Sequence, residues 1–353
     1  MNKKIFYLSK PQKKSDDPNL HSLEKFDSNK INLILSNNAL ILMKYWIKFQ
    51  QEWISNTYKQ FKDYEKYIVL IYLVSKSWED DSNLFKFYSM DEYYSKKDII
   101  LPNVSLSEIS ESLKTPKETI RRKLVELEKQ SLIKREGQKI LLGHTALNLQ
   151  KPENSIKNIS IFLEKLSVLL SVQDWFGPSI SRGDVELYFK KYYTIFWNRY
   201  FQLQIPFLVR WKTIFVDLES WVIWANIGIN QNIILERNFQ EAVIKSNNLE
   251  IKKEQYIENI ISMSDKRLNK SMQGINASSI AEISSIPRAT VIRKLKKLLK
   301  EKIIKRNKKL EYFLTSQGRL NEKIKANYLI DQKNIALFVT NIFNLIKRSS
   351  LNS

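Results

Sequence analysis

A 21-residue stretch of this chain occurs twice, and few folds accommodate that. Thr115–Arg135 reads TPKETIRRKLVELEKQSLIKR, and Ile286–Arg306 reads IPRATVIRKLKKLLKEKIIKR. Pro116 pairs with Pro287, Thr119 with Thr290, Arg122 with Arg293, Lys123 with Lys294, Leu124 with Leu295 and Leu127 with Leu298. Ile133-Lys134-Arg135 answers Ile304-Lys305-Arg306, so the offset stays at 171 (287 − 116, and 306 − 135) without a gap.

Two further blocks return in the same order. Phe61-x-Asp63-x-Glu65-x-Tyr67-Ile68-Val69 comes back as Phe215-x-Asp217-x-Glu219-x-Trp221-Val222-Ile223, at an offset of 154 (215 − 61). Lys157-Asn158-Ile159-Ser160-Ile161-Phe162-Leu163 comes back as Lys333-Asn334-Ile335-Ala336-Leu337-Phe338-Val339, at 176 (333 − 157). Three ordered blocks with drifting offsets predict a tandem duplication of one whole domain. The rise from 154 to 171 puts 17 additional residues in the second copy, between Asn230 and Asn276.

Local signals set the elements. Apolar residues from Ile31 to Tyr58 recur at spacings of three and four, which predicts one or two helices buried on a wide face. A further helix is expected over Tyr64–Lys76, an irregular stretch over 77–104, and a short helix over Leu106–Leu113. Thr115 can then cap the next helix, with Pro116 at its first position and Glu118 closing a Thr-x-x-Glu capping box. Ile120, Leu124 and Leu127 fall on one face, leaving Lys117, Arg121 and Arg122 outside it. Leu132–Lys134 and Ile140–Leu142, parted by Arg-Glu-Gly-Gln, read as a hairpin, and another helix follows over Ser155–Val172. Short helix, turn, basic helix and hairpin is the order of a winged helix-turn-helix.

The expected fold is therefore mainly α with small β-hairpin wings, in two winged-helix domains related by internal duplication. Residues 1–30 read as a flexible arm, 31–175 as the first domain, 176–184 as a Gly/Pro-containing linker and 185–353 as the second. At 353 residues, 43% of them hydrophobic, the chain has enough material for two cores.

Lysine and arginine outnumber acids 58 to 37, a net charge of +21, which favours a polyanionic partner. The charge concentrates in the repeat: residues 114–135 carry eight bases and three acids, and 285–306 carry nine bases and one acid. There is no cysteine, and His21 and His144 are the only histidines, so thiolate or histidine-rich metal sites are excluded. The early lysines are not followed by an apolar run, and no run approaches the ~20 residues a bilayer requires. A cytoplasmic protein without membrane contact is expected.

The pattern Pro116-x-x-Thr119-Ile120-x-Arg122-x-Leu124-x-x-Leu127, followed by Leu132-Ile133-Lys134-Arg135, resembles the recognition helix and wing start of bacterial winged helix-turn-helix regulators. Each half, with two helices before that unit and a long one after it, is similar to the MarR family, whose first and last helices build a dimer interface. Ser131 and Lys302 stand where that family usually has glycine, and Ile286 where a cap residue is expected. The resemblance implies a basic helix lying in the major groove with its N-terminal half toward base edges. Lys117, Thr119, Arg121 and Arg122 are then the base-reading candidates of the first copy, and Arg288, Thr290 and Arg293 those of the second. Lys123 and Lys294 are grouped with them. Lys134, Arg135 and Lys139, with Lys305, Arg306, Lys308 and Lys309, would sit at the wings and reach phosphates or a minor groove.

No nucleotide-binding loop, nucleophile elbow or zinc-protease motif occurs, and His144 is followed by Thr-Ala-Leu rather than the His-x-x-Arg of a tyrosine recombinase. No enzyme activity, cofactor or metal is expected. The aromatic run from Tyr192 to Trp224 reads as core rather than pocket, although MarR-like proteins often bind small effectors between these helices. The paired acids Asp63/Glu65 and Asp217/Glu219 read as helix-start or ion-pairing groups. The expectation is a sequence-specific transcription regulator of double-stranded DNA, a monomer acting as a built-in pseudo-dimer. A plasmid or phage replication initiator with two winged helices, and a non-specific chromosome-organising protein, are the alternatives.

Overall fold

The computed structural model describes residues 26–80, 87–96, 98–101, 104–136, 139–143, 152–175, 177–245, 260–261 and 273–351. Residues 1–25 of the expected arm, His144 and most of the stretch holding the 17 additional residues lie outside these.

Two helices, α1 (Ser28–Asn37) and α2 (Ala39–Phe61), lead into α3 (Tyr64–Asp80), α4 (Met90–Tyr94) and strand β1 (Asp98–Leu101). A helix-turn-helix follows, α5 (Leu106–Leu113) and α6 (Lys117–Lys129), then β2 (Ile133–Glu136), β3 (Lys139–Gly143) and the long α7 (Glu153–Val172). The order then recurs: α8 (Arg182–Lys191), α9 (Tyr193–Phe215), α10 (Leu218–Lys245), β4 (Ile275–Asn276), α11 (Ala277–Ser284), α12 (Arg288–Lys300), β5 (Ile304–Arg306), β6 (Glu311–Leu314) and α13 (Asn321–Leu351). The described residues are mainly helical with two small antiparallel sheets, consistent with a winged helix-turn-helix.

Four helix pairs of the two runs have equal lengths, while α10 (28 residues) and α13 (31) are longer than α3 (17) and α7 (20). α1 and α8 have 10 residues each and α2 and α9 have 23. α5 and α11 have 8, and α6 and α12 have 13. The sheets share one topology, β1-β3-β2 and β4-β6-β5. Left-handed backbone falls at matching sites: Lys62 and Val216, Lys114 and Ser285, Ser131 (φ 54°) and Lys302 (φ 55°).

The last pair occupies the position where the resemblance leads one to expect glycine. A side chain in left-handed backbone costs about 1–2 kcal/mol. Ser131→Gly and Lys302→Gly should each raise the thermal midpoint by an amount equivalent to up to ~1 kcal/mol; a fall in either would mean the side chain makes a compensating contact.

Two boundaries and one cap depart from the sequence reading. The stretch 77–104 is not wholly irregular, since it holds α4 and β1. Ser89 and Glu92 form a reciprocal capping box on α4, and β1 pairs with β3 from Asp98↔Gly143 to Leu101↔Ile140. The linker expected at 176–184 ends early, because Ser181 caps α8 by accepting from Asp184 N. The box expected at Thr115/Glu118 does not form: Pro116 is itself the N-cap and α6 has no side-chain cap. The Thr115 hydroxyl turns inward instead and meets Leu113 O at 3.0 Å.

The expected pair of separate cores is one core. Buried apolar side chains from both runs form a single continuous cluster. The packing crosses between the runs: α1 lies on α13 and α7 on α8, while α2 meets α10 and α9 meets α3. Trp46 and Phe49 of α2, Phe162 of α7, Tyr200 of α9 and Phe338 of α13 converge at its centre. The aromatic run is thus core, with Trp197 at 1% exposure and Tyr200 at 0%. Among the described residues no helix is long and apolar enough to cross a membrane.

Candidate nucleic-acid interface

The sequence of α6 splits its two faces cleanly. Ile120, Leu124 and Leu127 are buried against the rest of the unit, whereas Lys117, Arg121 and Arg122 are exposed and Thr119 is half-buried. On α12, Val291, Leu295 and Leu298 are buried, Arg288 and Arg293 are exposed and Thr290 is half-buried. Each helix is the second of its helix-turn-helix and the longer one, so its polar face is turned outward by the packing of its apolar face. Arg135 and Lys139 of the first hairpin are exposed, as are Arg306, Lys308 and Lys309 of the second.

The expectation that Lys123 and Lys294 face the same way is corrected by the structure. Lys123 is 8% exposed, with Nζ 2.5 Å from Asp63 Oδ2 and 3.0 Å from Glu126 Oε2. Lys294 Nζ lies 2.7 Å from Asp217 Oδ2 and 4.0 Å from Glu219 Oε2. A largely buried ammonium must stand beside a carboxylate, and the repeated acids supply it. Burial would lower the Lys123 ammonium, but Asp63 and Glu126 outweigh it and hold the pKa above its usual value. Asp63 also caps α3 by accepting from Glu65 N (2.7 Å), and Asp217 caps α10 by accepting from Ser220 N (2.8 Å). One acid therefore starts a helix and fastens the following basic helix to it, which explains why acid and lysine recur together.

The two outward faces differ electrostatically. In the first, Arg121 pairs with Glu118 (3.6 Å), Arg122 with Glu126 (3.7 Å) and Arg135 with Glu128 (3.5 Å). Lys134 pairs with Glu136 (2.6 Å). In the second, Arg288 donates to Ser278 Oγ (3.0 Å), and Arg293, Lys296, Lys300, Arg306, Lys308 and Lys309 make no ion pair among the described residues. Lys296 and Lys300, which lie outside the shared motif, join the exposed basic face because they follow Arg293 at helical spacing.

A face of this composition offers arginine forks to guanine edges and lysines to phosphates. Residues 102–137, which hold α5, α6 and β2, match the DeoR-like helix-turn-helix domain. That match supports a DNA-binding helix-turn-helix of a bacterial transcription regulator. No curated protein and no solved structure matches the chain. The match covers the first helix-turn-helix only.

An effector pocket has weaker footing. Trp53, Trp78, Tyr93, Tyr94, Tyr193 and Trp197 line a narrow aromatic cleft beneath α4, too tight for more than about one water-sized group. The indole N–H groups of Trp78 and Trp197 have no hydrogen-bond partner there. Among the described residues no group of His, Asp and Glu could hold a metal ion.

Proposed function

We propose that the chain is a cytoplasmic, sequence-specific transcription regulator in which α6 and α12 enter successive major grooves of one duplex. The observation that carries this reading is the second basic helix, α12. It repeats α6 in length, buried face and acid-anchored lysine, and it stands in the same helix-turn-helix and sheet context. A MarR-like tandem duplication accounts for these agreements and for the exchange of α1 and α8 between the two runs. On that reading the chain is a built-in dimer, with one unit spanning α1–α7 and the other α8–α13. Its recognition helices would stand about 34–36 Å apart, one helical turn of DNA.

The half-sites should differ, because Lys117 and Arg121 of the first helix are replaced by Arg288 and Ile292 in the second. Selecting bound fragments from random duplex DNA tests the reading. A motif of two unlike half-sites about one turn apart is expected; recovery of no enriched sequence would leave a non-specific chromosome-organising protein. Arg122→Ala and Arg293→Ala should each cost ~1–3 kcal/mol of binding at its own half-site and relax discrimination there. An equal loss on every sequence would reduce both to phosphate contacts.

A further inference from the structure

Lys212 lies on α9 in the second run, yet each of its polar contacts is in the first. Lys212 is 8% exposed, and its ammonium donates to Thr115 Oγ1 at 2.6 Å, to Leu113 O at 3.1 Å and to Glu65 Oε2 at 3.4 Å. Leu113 ends α5, so its carbonyl is one that the helix leaves unpaired, at the negative end of the helix dipole. Thr115 is in the turn that sets the angle between α5 and α6, and Glu65 is in the first turn of α3. An ammonium has three protons, and these three acceptors use them all.

The related position 154 residues earlier, on α2, is Tyr58, buried at 7% but carrying no charge. Opposite it the hydroxyl of Thr115 is replaced by the apolar side chain of Ile286. From α2 to the second helix-turn-helix, Ser55 Oγ donates to Ile283 O at 2.8 Å, a neutral bond in an exposed setting.

We propose that Lys212 is a positioning residue that locks the first recognition helix to the second run, so that the two DNA-reading heads are held with unequal stiffness. This rests on the reading of α6 and α12 as DNA-reading helices. The clamp on the first head sets the half-site spacing that the chain can read, and its loss lets the spacing vary. Because the ammonium is spent on protein acceptors, it makes no phosphate contact.

Hydrogen exchange on the full chain tests the clamp without DNA. In Lys212→Met, which keeps the apolar stem, amides of Ile120–Leu127 should exchange about ten-fold faster or more, the scale expected for losing a buried charged hydrogen bond. Amides of Val291–Leu298 should be unchanged. Thr115→Val, a milder variant, should act in the same direction. Equal acceleration in both helices, or none in either, overturns the proposal. With DNA, duplexes whose half-sites are moved apart by one or two base pairs should be discriminated by the wild type but not by Lys212→Met, at an unchanged salt dependence. Retained discrimination alongside faster α6 exchange would also overturn it. A wild type that binds no duplex would defeat the DNA reading alone, and the exchange result would still decide the clamp.

Discussion

Raising monovalent salt from about 50 to about 200 mM should weaken the complex of this chain with its duplex site by roughly 10³-fold or more, as for proteins making six or more phosphate contacts. Most of that dependence should come from the second helix-turn-helix. Its face presents Arg293, Lys296, Lys300, Arg306, Lys308 and Lys309 with no ion pair among the described residues. The first face carries Glu118, Glu126, Glu128 and Glu136 beside its own cations. Such exposed pairs are worth little to stability, but in the proposed complex their carboxylates would stay beside the groove and repel the phosphates their partners attract. Replacing Lys296, Lys300 and Arg306 together by glutamine should reduce the slope of log affinity against log salt by about one for each phosphate no longer neutralised. The corresponding change at Lys117, Arg121 and Lys139 should reduce it less. Anisotropy titrations at four or five salt concentrations measure both slopes; equal reductions would show that the internal acids of the first face do not matter.

The helix-turn-helix units are legible in the sequence because their signals are local. Leu106–Leu113 has the same bounds in sequence and structure, and the apolar face of α6 is the one its spacing requires. The capping motifs are less informative. Ser89-x-x-Glu92 and Thr115-x-x-Glu118 look alike on paper, yet only the first closes, because the Thr115 hydroxyl is taken by Leu113 O and Lys212. A partner 97 residues away cannot be read from spacing. The same limit hides the roles of Lys123 and Lys294. Their positions in a basic run suggest DNA, and only the fold brings Asp63 and Asp217 against them. β1 leaves little trace in the sequence because it has four residues, one of them, Ile100, 61% exposed, and it gains its identity only by pairing with β3.

A fragment ending at residue 175 should not fold as a monomer, and this is the largest effect the structure leads us to expect. It would keep α1 but lose α13, the helix α1 packs on, and keep α7 but lose α8. Phe49 would be stripped of Tyr200 and Trp46 of Phe338, opening the centre of the continuous apolar cluster among the described residues. Removing even one such aromatic from a core costs ~3–5 kcal/mol, against a total stability of about 5–15 kcal/mol. If the two runs are versions of one domain, the fragment has a remedy that an unrelated half would lack. The α7 of one copy could take the place of α13 against the α1 of another, and the exposed faces would close as a homodimer. Size and circular dichroism should therefore change together with concentration, from an unfolded monomer in dilute solution to a helical dimer as it rises. A helical, cooperatively melting monomer at low micromolar concentration would mean that the crossed packing is dispensable. A fragment that stays unfolded at every concentration would mean that the two runs are no longer interchangeable across this interface.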